Sequence, residues 1–108
     1  MGQHLANLPS LVIANGASTT TTPITAGLDD ADSITIQGPA ALTNVVTVNI
    51  STDGGTTYSD LGSGGVDVVV TAGNSLNISP VAFNALKVTS SGNEGAARTF
   101  LVSKSFRV

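Results

Sequence analysis

Apolar and polar residues alternate in short runs along most of this chain, and nowhere do apolar residues recur at a helical spacing. Val46, Val48 and Ile50 alternate with Thr47, Asn49 and Ser51, a two-residue period that turns one face of a strand to a core and the other to water. Asp53-Gly54-Gly55 follows, supplying residues that tolerate positive φ at a reversal. Thr56, Thr57 and Tyr58 resume an extended run, and Val66 to Val70 repeats the apolar signal. The stretch Val45 to Thr71 therefore predicts two strands, paired antiparallel and joined by glycine-rich turns, and the rest of the chain is organised around it.

The same pattern recurs on both sides. Met1 to Ser10 carries a lone His4 and no period, and reads as an arm. Leu11, Val12 and Ile13 predict a short strand closed by the turn pair Asn15-Gly16, which either joins the sheet or docks on a neighbouring subunit. In the threonine run from Ala17 to Thr25, β-branched residues favour extended backbone, while Pro23 lacks a donor and belongs at a sheet edge or in a connection. Ile34 and Ile36, then Leu76 and Ile78, then Leu86 and Val88 each alternate with polar neighbours. Arg98 to Val108 predicts the last strand, with a conflict of parity: Phe100, Val102, Phe106 and Val108 fall on the same face as Arg98 and Lys104. Either a bulge shifts the parity or Lys104 marks where the strand leaves the core.

Roughly seven or eight short strands, spaced by turns at about ten residues, predict an all-β fold: an antiparallel two-sheet β-sandwich of jelly-roll or immunoglobulin-like topology. The expected organisation is an N-terminal arm or first edge strand over residues 1–25 and a single sandwich domain over residues 26–108.

Composition narrows the chemistry. With 108 residues the chain can bury a core of its own. It has no cysteine, which removes disulfides and thiolate chemistry together. Only 10% of its residues are charged, against about 25% in an ordinary soluble domain, so Ser, Thr, Asn and Gly must form most of the polar surface. Covering such a surface with another protein costs little, because burying a hydroxyl is far cheaper than burying an ion. The net charge is −3 and the four Lys and Arg residues all lie in the last quarter, which argues against nucleic acid as a partner. No apolar run approaches the roughly 20 residues of a membrane-spanning helix, and no membrane partner is expected. Pro9 interrupts Leu8 to Ala14 and no cation precedes it, which argues against a cleaved export signal.

Candidate chemistry is sparse. Asp29, Asp30 and Asp32 form the one dense carboxylate group, but they match no calcium loop and read as a solvated turn. Asp53, Asp60, Asp67 and Glu94 sit in or beside turns, where solvation is expected to leave them ordinary. No residue is assigned a catalytic, cofactor-binding or metal-binding role, no cofactor is expected, and the protein is expected not to be an enzyme. Asn49-Ile50-Ser51 and Asn77-Ile78-Ser79 fit the glycosylation tripeptide but lie inside predicted strands.

Two resemblances add expectations. Ser51-Thr52-Asp53-Gly54-Gly55-Thr56-Thr57-Tyr58 resembles the Asp-box of sialidases and other β-propeller proteins, with Tyr58 in place of the usual Trp. It implies a well-formed hairpin turn and no activity. From about Ser33 onward, the VxVxxSTDGG hairpin, the valine strand and the ALKVTSSG segment resemble the decoration or cement proteins of tailed-bacteriophage capsids. That resemblance implies a structural virion protein, commonly a homotrimer, on the outer capsid surface after assembly in the host cytoplasm. It would clamp neighbouring copies of the major capsid protein, with residues 1–25 as a gripping arm. The alternatives are a carbohydrate-binding module, which the scarcity of aromatic residues disfavours, and a phage tail or baseplate component.

Overall fold

The computed structural model describes residues 3–63 and 66–107. Within them the strands are β1 (Gln3–Ile13), β2 (Ala31–Gln37), β3 (Val46–Ser51), β4 (Ser59–Asp60), β5 (Gly62–Ser63), β6 (Val66–Asp67), β7 (Val69–Val70), β8 (Ser75–Ile78), β9 (Ala85–Ser90) and β10 (Arg98–Arg107). They build two antiparallel four-stranded sheets packed as a sandwich, with a small β5–β6 ribbon at the side. One sheet runs β1-β10-β2-β8. In the other, β3 is central, with β9 along one edge and β4 and β7 sharing the opposite edge. The predicted all-β sandwich is thus the observed fold.

Alternation decides which side chains meet between the sheets. Leu11 and Ile13, Ile34 and Ile36, Val46 and Val48, Leu86 and Val88, and Phe100 and Val102 are all buried, each pair two residues apart on its strand. Ile24, Leu28 and Phe83 close the core from the connections. The first 25 residues thus contribute Leu11, Ile13 and Ile24 to it. β1 pairs with β10 from Gln3 to Ile13, with a register shift between Leu8 and Leu11 at Pro9, where the missing donor does least harm on an edge strand.

The threonine run is extended and serves as a seam. Thr20 and Ile24 bond the outer edge of β9 at Val88 and Leu86, while the Thr21 amide donates to the Val12 carbonyl on β1. The second valine run is not a single strand. Val68 separates β6 from β7, donating to the Leu61 carbonyl while its own carbonyl receives the Val48 amide. Residues 61–63 and 66–68 therefore stand off the edge of β3, where β4 and β7 take turns on the same side. Gly64 and Gly65 lie outside the described residues, as do Met1, Gly2 and Val108.

The parity conflict in the last strand resolves in both ways the sequence allows. The β10–β2 register shifts between Ser105 and Phe106, and Lys104, on the core-facing parity, carries its Nζ out of the core to the Gly27 carbonyl at 2.8 Å and to Asp30 at 2.6 Å.

Candidate functional site

Three features concentrate polar chemistry or exposed apolar surface. The first is Glu94. It is expected as an ordinary turn carboxylate, yet it is 1% exposed. Its Oε1 accepts the Thr43 amide at 2.8 Å and Arg98 Nε at 3.0 Å; its Oε2 accepts Ser90 Oγ at 2.7 Å, the Asn44 amide at 3.1 Å and Asn44 Nδ2 at 3.2 Å. Its own backbone bonds Gly16 and Ala17. Burial by itself raises a carboxyl pKa, but the hydrogen bonds from Thr43, Ser90, Arg98 and Asn44 outweigh it and bring the value from 4.5 down to about 2. Every oxygen lone pair is directed at a donor of the fold, so the group is a structural node with nothing free to act on a substrate. Its partners at 43–44 lie some fifty positions away, which is why local sequence shows only a turn.

The second is the Asp-box-like turn. Ser51 Oγ donates to Asp53 Oδ1 and accepts the amides of Asp53 and Gly55, while the Thr57 amide donates to Asp53 Oδ1 at 2.9 Å. The Ser51 hydroxyl first, and then the Thr57 amide, hold the Asp53 carboxyl below its ordinary value. Asn84 ties the turn to the β9 side through the Gly54 amide and the Thr52 carbonyl. Gly55, at φ +99°, admits the Tyr58 ring: a Cβ there would stand 3.1 Å from the Tyr58 hydroxyl. Burial, helped by the Asp53 charge, raises the Tyr58 pKa. Ser51, Asp53 and Asn84 are thus occupied in forming the turn, while the buried Tyr58 hydroxyl finds no hydrogen-bond partner among the described residues.

The acidic cluster does not converge. Asp30 is paired with Lys104, whose hydrogen bond lowers its pKa, and no group of three or more potential metal ligands exists among the described residues. The aromatic rings are equally committed. Phe83 and Phe100 are buried, His4 stacks on Phe106 with centroids 5.6 Å apart, and Lys87 Nζ lies 4.5 Å above the Tyr58 ring. Of the tripeptide asparagines, Asn49 is buried and bonded to Asp60 and Thr89, and Asn77 donates to Thr35.

The third feature is an open groove of about 530 Å³ between the 42–45 segment, β7 and Ser91. None of its lining residues carries an ionisable side chain. Val45 and Val69 line it at 59% and 42% exposure, joining Leu5 at 81% and Leu101 at 54% as the exposed large apolar side chains among the described residues. The sequence pattern does not single out this groove, because the alternation assigns Val46, Val48 and Ile50 to the core without marking Val45, and Val69 falls within the apolar run Val66 to Val70.

No family model matches the chain, and no curated protein matches it. A solved structure described by the words "Bacillus endospore appendages form a novel family of disulfide-linked pili" does match, with a TM-score of 0.52 and 16% identity, over 99% of this chain and 88% of that one. At that identity the likeness is one of fold. It overturns the resemblance to capsid decoration proteins, and with it the major capsid protein as partner, the homotrimer on a shell and the placement on a virion or in a host cytoplasm. The carbohydrate-binding and tail or baseplate alternatives fall with the same reading. The physical reason is that the features behind the capsid resemblance, a glycine-turned hairpin, valine strands and few charges, are what any small antiparallel sandwich with a polar surface requires. Backbone agreement over nearly the whole chain discriminates more strongly than such features do.

Proposed function

We propose that this protein is a non-enzymatic structural subunit that associates with copies of itself into a fibre. The observation that carries the reading is the fold likeness, over 99% of the chain, to a protein described as forming pili. The low content of charged residues, 10%, supports it, because contact between copies then desolvates few ions. The linkage differs from the one named for the matched protein. These 108 residues include no cysteine, so their contacts involve no disulfide and take their strength from repetition along the fibre.

Electron microscopy and sedimentation of the purified protein over a range of concentrations test this. Fibres that form with concentration and are indifferent to a thiol reductant are the expected result. A monomer at every concentration refutes the proposal.

A further inference from the structure

The fold treats the edges of its two sheets differently. Thr20 and Ile24 bond the outer edge of β9, and β4 with β7 covers the other side of β3. In the opposite sheet the edge strands are β8, of four residues, and β1, of eleven. Among the described residues the outer side of β1 is met only at its Ile13 end, by the Ile13–Thr20 bridge and by the Thr21 amide on the Val12 carbonyl. Exposed strand edges are commonly blunted by a charge, a proline or a bulge that discourages pairing. β1 has its proline and its register shift beyond Leu8, whereas Gln3 to Leu8 contains no Pro, Asp, Glu, Lys or Arg.

The register fixes which groups this open edge presents. The Val12 carbonyl faces Thr21, away from β10, so Leu11 and Ile13 are the residues whose backbones bond Phe100 and Arg98. The shift between Leu8 and Leu11 puts its extra residue on β1, so Phe100 and Val102 keep one backbone direction and Leu8, opposite Val102, bonds β10 as Leu11 does. Alternation from Leu8 then directs the amides and carbonyls of Gln3, Leu5 and Asn7 outward. Leu5 is also the most exposed large apolar side chain among the described residues, at 81%, and stands with Leu101 on the outer face of the sheet.

We propose that β1 pairs antiparallel with β1 of a second copy of this chain across a two-fold axis at Leu5. This rests on the self-association proposed above and names one of its contacts. Residues opposed in an antiparallel pair share a face, so Leu5 opposes its own copy and Gln3 opposes Asn7. Every outward amide of these three residues then meets an outward carbonyl. An axis at Ala6 or Asn7 sets Gln3 or Leu5 against Pro9, which has no amide to give. The axis at Leu5 also lays the two leucine side chains together and takes both out of water. Under a two-fold an antiparallel edge is its own complement, so the one edge serves both copies and two four-stranded sheets become one. Being isologous, the contact closes at a dimer, which a second and different contact builds into the fibre.

Sedimentation velocity of the whole chain, below the concentration at which fibres form, tests this. Leu5→Pro removes a donor that β10 does not use, so it is expected to keep the wild-type circular dichroism and to weaken the dimer about tenfold or more. Leu5→Lys replaces it should the proline unfold the chain. Opposed Cα atoms in a hydrogen-bonded antiparallel pair stand about 5.5 Å apart, within disulfide reach. Leu5→Cys is therefore expected to give a disulfide-linked dimer on mild oxidation, and Asn7→Cys, whose copy lies two pairs away, is not. Association that Leu5→Pro and Leu5→Lys leave unchanged, or cross-linking that does not favour Leu5→Cys over Asn7→Cys, overturns this contact and leaves self-association standing. A wild type that is monomeric at every concentration overturns self-association itself.

Discussion

Replacing Glu94 with glutamine tests the account of the structural node most directly. The carboxylate holds two backbone amides, the Ser90 hydroxyl, the Asn44 amide group and Arg98 Nε, so it fastens residues 43–44 to the start of β10. Its pKa moves from 4.5 to about 2, which corresponds to at most about 3 kcal/mol of folding free energy. The side chain is sealed from solvent but only by a thin cover that includes half-buried Asn44 and Arg98, and screening there reduces the figure to about 2 kcal/mol. Because the folded pKa is depressed, this stability is fully present above about pH 4.5 and is lost as pH falls towards 2. Glutamine keeps the shape but removes the charge and aims an NH2 group at donors, so a loss of about 2 to 3 kcal/mol at pH 7 is expected. Urea denaturation of both proteins at pH 7, 5, 3 and 2 measures it. Asp30 and Asp53, also depressed, titrate in both proteins, so the difference between the two curves isolates Glu94 and should shrink as the pH drops. A Glu94→Gln protein within 0.5 kcal/mol of wild type at pH 7, or a difference that does not change with pH, refutes the reasoning.

Other perturbations probe separate parts of the fold. The buried Thr20 hydroxyl donates to the Val88 carbonyl at 2.8 Å and accepts the Val88 amide at 2.9 Å, so Thr20→Val strands that amide. It should cost about 1 to 3 kcal/mol, with faster hydrogen exchange at Val88 as the specific sign. A Cβ on Gly38 would stand 2.6 Å from the Thr71 carbonyl oxygen, a backbone atom that cannot step aside. Gly38→Ala is therefore expected to lower stability by about 1 to 3 kcal/mol in thermal unfolding. Asp53→Ala removes the acceptor of the Thr57 amide, and should accelerate exchange at Thr57 while leaving core amides as protected as in the wild type.

Local alternation and turn residues are enough to specify the class of fold and most of its punctuation. Alternation of Val46, Val48, Ile34, Ile36, Leu86 and Val88 with hydroxyl and amide residues requires half-buried strands, and Asp53-Gly54-Gly55 and Ala72-Gly73-Asn74 require turns, three of whose glycines adopt positive φ. The sequence also settles that none of these 108 residues forms a disulfide. Tertiary structure decided what depends on partners distant along the chain. Glu94 looks like a solvated turn residue until the segment around Thr43 closes over it, and Lys104 looks misplaced until the Gly27–Asp30 turn comes to meet it. Val45 lies off the core-facing alternation of Val46, Val48 and Ile50, and Val69 stands within the apolar run Val66 to Val70. They remain exposed because, where β7 lies alongside β3, the sandwich needs only one face of that pair, the one that buries Val46 and Val70. Local periodicity fixes which residues share a face, but the arrangement of the sheets determines which faces another surface covers.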